Sequence, residues 1–172
     1  MSQMHDPFLM QDMHKAVKRL NDAMGLKEKI MVYGDYDVDG TTAVALVYKY
    51  LLNFYSNVEY YIPTRYEEGY GISMKSIDYA AEIGVKLVIV LDCGIKAIEE
   101  VEYAKEKGID FIICDHHVPD EEMPPAVAIL NPGLRKTTAI SHCGTDTTRN
   151  RSFPSSEASH IPILRPQYHF SF

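Results

Sequence analysis

Three short stretches hold the residues best suited to chemistry. Residues 34–40 read GDYDVDG, with Asp35, Asp37 and Asp39 on alternate positions ahead of a glycine. Carboxylates this close raise one another's pKa, so the spacing asks for a bound divalent cation. Further along, LDCG at 91–94 supplies Asp92, and CDHH at 114–117 supplies Asp115, His116 and His117. Carboxylate oxygen combined with imidazole suits manganese, magnesium, iron or zinc, and a carboxylate shared between segments can bridge two ions.

Taken singly, each stretch has a plainer reading. Asp92 after an apolar run could simply cap the next helix, and a lone pair of histidines is commonly structural. GDYDVDG imitates a calcium loop, but with Asp35 as position 1 the twelfth position is Leu46, where a bidentate Glu is required. DVDGT, Asp37 to Thr41, matches the D-x-D-G-T signature of haloacid-dehalogenase-type phosphatases, with Asp37 as nucleophile and Asp39 as general acid. That signature normally follows a buried strand directly, and it leaves DHH unexplained.

What could bring the three stretches together is the order of elements around them. Met13, Val17, Leu20 and Met24 recur at helical spacing, with Asp6 and Pro7 resembling an N-cap and first-turn proline, which predicts a helix ending near Gly25. KIMVYG, VEYYIP, KLVIVLD, DFIICD and AVAIL read as strands. Between them lie helical patterns: Ala43, Val44, Val47, Tyr50, Leu51 and Phe54 on one face, then SMKSIDYAAEIG and IKAIEEVEYAKEKG, closed by Gly84 and Gly108. Val- and Ile-rich strands without polar alternation, separated by helices, predict an α/β fold: a mostly parallel, doubly wound, Rossmann-like sheet covered on both faces. In such a sheet the carboxyl ends of the strands share one edge. Asp35, Asp37, Asp39, Asp92, Asp115, His116 and His117 all follow strand ends, so they are expected to line one crevice there.

Composition sets the setting. The 172 residues suit one domain with an appendage, and the formal net charge of -7 advertises no nucleic-acid partner by itself. Bound cations can nevertheless present a positive site within an acidic protein. Cys93, Cys114 and Cys143 fall in no metal-knuckle spacing, and the odd count fits a reducing cytosol. No apolar run approaches the roughly 20 residues of a membrane span, and the first residues show no secretory pattern. A soluble cytoplasmic protein with no membrane partner is expected.

Together, GDYDVDGTTA, LDCG and CDHH resemble motifs I, II and III of the DHH phosphoesterase superfamily. DPFLMQDM, PTRYEEGYG and DHHVPDEEMPPAVAILNP are similar to its branch of single-strand-specific 5′-to-3′ DNA exonucleases, over about residues 6–132. The resemblance implies an incomplete DHH domain that hydrolyses phosphodiester bonds in single-stranded DNA with Mn2+ or Mg2+, two metals being held in the complete family member. It implies that Asp37, Asp39, Asp92 and His116 are metal ligands, with Asp92 bridging, and that His117 lies near the substrate phosphate. Asp35 and Asp115 fit outer-shell orienters of those ligands. In IPTRYEEGYG, Arg65 is a candidate phosphate clamp and Tyr66 or Tyr70 a candidate base-stacking surface, although a glycine-punctuated loop with locally packed tyrosines fits the same letters.

After Pro132 the composition changes. Residues 133–172 are rich in Ser and Thr and hold Arg135, Lys136, Arg149, Arg151 and Arg165 against Asp146 and Glu157. The expectation is a divergent, largely disordered tail of the kind a frameshift or misassembled reading frame produces. It would replace the superfamily's fourth aspartate motif and its C-terminal substrate domain, leaving a weakly active or inactive chain. The alternatives are an aspartyl phosphatase acting through Asp37, or a non-enzymatic remnant with residual metal or DNA binding.

Overall fold

The computed structural model describes residues 5–134. Strands β1 (Lys29–Gly34), β2 (Val58–Tyr61), β3 (Val85–Leu91), β4 (Asp110–Cys114) and β5 (Ala128–Leu130) form one parallel sheet in the order β2-β1-β3-β4-β5. Helices α1 (Met13–Gly25), α2 (Val38–Leu52), α3 (Met74–Glu82) and α4 (Ile98–Glu106) connect and cover them.

Successive strand side chains point to opposite faces, and each face has its own core. Ile30, Val32, Leu87, Ile89 and Ile112 pack with Ala16 and Ala23 of α1 and Val44 and Leu51 of α2. Met31, Tyr33, Val88, Val90, Phe111 and Ile113 pack with Ile77 and Ala80 of α3 and Val101 and Ala104 of α4. Burial on both faces is why these strands read as unbroken apolar runs. The fold expected from the sequence, a doubly wound parallel α/β sheet, is the one observed. From β1 the chain moves outward to β2 and resumes at β3 on the other side of β1. The winding therefore reverses between β1 and β3, which opens a crevice at their carboxyl ends.

Two expectations need correction. Asp6 does act as a cap, accepting a 2.9 Å hydrogen bond from Phe8 N–H, but it caps a single 3-10 turn, Pro7–Leu9. Helix α1 starts separately at Met13, because Asp12 at φ 61° turns the chain in between. Tyr50 and Phe54 were expected on the buried face of the second helix, yet they are 45% and 54% exposed. Val44 and Leu51 take the contact with the sheet, Phe54 lies past the end of α2, and the two rings meet edge to face on the surface at 5.2 Å.

At the amino ends of the strands Arg19 fastens α1 to the sheet. Its guanidinium reaches Glu28 at 2.8 Å and Asp110 at 2.6 Å and donates to the Lys86 carbonyl at 3.2 Å. Among the described residues no helix is long and apolar enough to cross a membrane. The expectations for residues 133–172 fall outside the described residues, apart from Gly133 and Leu134.

Candidate metal centre

The acidic residues after β1 are set by two glycines. A Cβ on Gly40 would lie 2.3 Å from Asp35 Oδ1 and 2.8 Å from the Asp35 carbonyl oxygen. One on Gly34 would lie 2.6 Å from Val44 Cγ2 and 2.9 Å from the Gly40 carbonyl oxygen. Bare backbone at both positions lets the first turn of α2 lie directly on the end of β1. Asp35 is thereby buried completely, and its Oδ2 has no hydrogen-bond partner. Asp37 is the N-cap of α2, three residues beyond the strand, with Oδ1 accepting from Gly40 N–H at 2.9 Å. That bond, ahead of its other contacts, holds the Asp37 carboxyl below its usual range. Asp39 follows in the first helical turn, where a carboxylate also gains from the helix dipole.

Asp92 ends β3 in the left-handed region, at φ 62°, with its N–H donated to the Cys114 carbonyl at 2.9 Å. This unusual backbone for a non-glycine residue accompanies a side chain only 13% exposed and set against His116, whose Nε2 lies 3.1 Å from Asp92 Oδ1. Burial first, and then the negative charge of Asp37, push the Asp92 carboxyl up. Asp35 is also pushed up, chiefly by burial.

Asp115, beyond β4, takes a supporting role. Its Oδ2 accepts from Ile95 N–H at 3.0 Å, and its Oδ1 accepts from His117 N–H at 3.0 Å and meets His117 Nδ1 at 2.7 Å. Burial raises the Asp115 carboxyl, but these donors outweigh it and hold the group ionised below its usual range. An ionised carboxylate only accepts, so Nδ1 of His117 carries the proton and Nε2 is left for other partners. The same bond raises the His117 pKa.

One ligand atom each from Asp35, Asp37 and Asp92 falls within a 4.8 Å span, as does one each from Asp92, His116 and His117. Asp92 belongs to both sets. Asp39 is in neither, although it lines the same cleft as Asp92 and His116. An oxygen-rich group with a buried, unpartnered carboxylate oxygen and two carboxyls raised by crowding and burial fits a hard or borderline divalent cation. Neither neighbouring cysteine belongs to a ligand group, and burial raises both thiols, Cys114 to about 11.

Arg65 lies in the loop between β2 and α3, its guanidinium carbon 5.5 Å from the centre of the Tyr36 ring. Tyr70 stands edge-on to Tyr36 at 6.2 Å and to His117 at 6.4 Å, whereas Tyr66 is 98% exposed. Sequence reasoning passed over two contributors. Tyr36 was hidden between two more conspicuous aspartates. Asn131 is almost fully buried, donating from Nδ2 to the His117 carbonyl at 2.8 Å and accepting from Gly133 N–H at 2.7 Å. A polar residue ending an apolar strand just before a proline was the available signal.

Comparison with known proteins agrees with this fold. Residues 29–158 match the DHH family, N-terminal domain, a span that runs past Pro132. The chain is 43% identical over 128 residues to the single-stranded-DNA-specific exonuclease RecJ of Bacillus subtilis, covering 74% of this chain and 16% of that protein. It is 39% identical over 142 residues to RecJ of Haemophilus influenzae, covering 82% and 24%. Among solved structures, exonuclease RecJ bound to manganese superposes with a TM-score of 0.71 at 31% identity, over 79% of this chain and 35% of that one. RecJ of Thermus thermophilus in complex with Mn2+ superposes with a TM-score of 0.63 at 28% identity, over 74% and 18%. The chain thus spans between a sixth and a quarter of the length of these two sequence relatives.

Proposed function

Since the chain belongs to the DHH family, we propose that it carries the N-terminal part of a metal-dependent phosphodiesterase centre directed at single-stranded DNA, of the 5′-to-3′ exonuclease kind. The observation that carries this reading is the pair of ligand groups meeting at Asp92 on the edge of the sheet where the winding reverses.

Asp37, Asp39, Asp92 and His116 would hold Mn2+ or Mg2+, with Asp92 the shared carboxylate. When bound, the ions supply an activated water and neutralise charge on the phosphate and leaving oxygen. The other roles fall to side chains of this chain. Asp35, buried beneath the first turn of α2, accepts from Asp37 N–H at 3.3 Å and limits its movement. Asp115 fixes the His117 ring with Nε2 outward, so that His117 can donate to a phosphate oxygen once protonated. Arg65 provides a second cation for the phosphate path, and Tyr70 and Tyr36 offer ring faces to an unpaired base.

Residues 1–132 are assigned to this domain part. Residues 133–172 are assigned to a divergent segment that supplies none of the ligands named here, within which the family match runs on to residue 158. The purified chain should bind Mn2+, and His116→Ala should weaken that binding. No manganese binding by calorimetry would refute the centre. Degradation of a 5′-labelled single strand that His116→Ala leaves undiminished would refute the assignment of the chemistry to this centre.

A further inference from the structure

The loop from Tyr61 to Ser73 crosses the edge of the sheet where the acidic residues gather, and one carboxylate ties it together. Glu68 Oε1 accepts from Thr64 N–H at 3.1 Å, near the start of the loop. Glu68 Oε2 accepts from Tyr61 OH at 3.0 Å, at the end of β2, and from Ser73 Oγ at 2.6 Å, at the start of α3. Ser73 has a single hydroxyl proton, and Glu68 takes it. The Ser73 oxygen is then free to accept from Ser76 N–H at 3.0 Å, the bond that caps α3. Thus both ends of the loop and the first turn of the next helix converge on one side chain. The loop is also anchored by the buried Tyr33, whose hydroxyl donates to the Gly71 carbonyl at 2.7 Å, and by Glu67, which accepts from Lys75 Nζ of α3 at 2.8 Å.

We infer that Glu68 is the positioning residue that holds this loop closed and so sets Arg65 and Tyr70 against Tyr36 and His117. Glu68 is not among the groups that face the cation or the strand; its side chain points into the loop's own frame. The inference rests on the reading of Arg65 and Tyr70 as substrate contacts only for its functional consequence. The structural part stands on the three hydrogen bonds. Each is charge-assisted, and such bonds are shorter and stronger than neutral ones.

Trypsin reads the loop directly, because Arg65 lies within it. In the whole chain, Glu68→Ala should raise the rate of cleavage after Arg65 by about tenfold, the effect of losing one charge-assisted bond or more. Cleavage after Lys86, inside β3, needs global opening and should remain much slower than cleavage after Arg65 in both proteins. Glu68→Gln keeps one carbonyl acceptor and should fall between the two. Unchanged cleavage after Arg65, or cleavage after Lys86 as fast as that after Arg65, would overturn the assignment. A second arm follows the anisotropy of a fluorescent single-stranded oligonucleotide with manganese present. Arg65→Ala and Glu68→Ala should weaken binding by similar factors, and the double variant should be no weaker than either. Weakening by Arg65→Ala without weakening by Glu68→Ala would overturn the positioning role. If Arg65→Ala leaves binding intact while the trypsin result holds, the substrate reading of Arg65 falls and the structural role of Glu68 stands.

Discussion

Gly40→Ala tests whether the close seating of α2 on the end of β1 makes the centre. In an ordinary helix interior this change stabilises by about 1 kcal/mol, because glycine loses more backbone freedom on folding. Here the added Cβ would meet Asp35 Oδ1 at 2.3 Å, the Asp35 carbonyl oxygen at 2.8 Å and the Asp35 nitrogen at 2.9 Å. Two of these are backbone atoms of a fully buried residue and cannot swing aside. Overpacking of this kind costs about 1–3 kcal/mol, and three contacts under 3.0 Å place it at the upper end. Subtracting the helix gain leaves a net loss of about 2 kcal/mol, or roughly 6 °C in Tm for a domain of this size. Displacement of Asp35 should also lower manganese affinity by about tenfold or more, since that requires only about 1.4 kcal/mol. Thermal unfolding in chelator and calorimetric titration with manganese measure the two effects. Gly25→Ala, at the end of α1 with nothing within 4 Å of its added Cβ, is the control and should leave manganese affinity unchanged and Tm level or raised. A Gly40→Ala protein as stable as wild type, with undiminished manganese affinity, would refute the argument.

Asp92→Asn should separate charge from backbone, because asparagine tolerates the left-handed conformation. Manganese affinity should drop at least about tenfold, while Tm in chelator stays level or rises as repulsion with Asp37 is removed; Glu106→Ala should change neither. Arg19→Ala should destabilise by about 2 kcal/mol in urea unfolding, by stranding Glu28 and Asp110 without their partner, and should leave manganese binding intact. Burial would raise the Glu68 carboxyl, but Ser73, Thr64 and Tyr61 outweigh it and hold it below 4.5. Its contribution is therefore present above pH 4.5 and lost as pH falls through the lowered value. The Thr64 amide resonance should follow that acid step, and Glu68→Gln should abolish it.

The sequence by itself determined the sheet and the place of the chemistry. Strands such as KLVIVL carry enough Val, Ile and Leu to be buried on both faces, and alternating helices force parallel pairing. Once the strands are parallel, GDYDVDG, LDCG and CDHH can only emerge at the same edge. Their residue types then specify the cation chemistry, and the family match agrees with that reading. The hydrophobic pattern of α2 was a weaker guide. Tyr50 and Phe54 are apolar enough for a core but rotate away from the sheet, and the helical period cannot fix that angle when apolar residues surround the helix.

Only the tertiary structure decided how the seven clustered residues divide their work. Asp35 and Asp37 are both aspartates in one heptapeptide, but the closeness of α2 that Gly34 and Gly40 permit buries one with its Oδ2 unpartnered and leaves the other as an exposed cap. Asp115 and His116 are adjacent letters. Beyond β4, however, Asp115 turns inward to the N–H of Ile95, twenty positions earlier in the chain, while His116 turns outward to Asp92. Asn131 and Glu68 entered through contacts with His117 and Ser73. Such contacts depend on how loops from separate strands lie against one another, and no local periodicity encodes that.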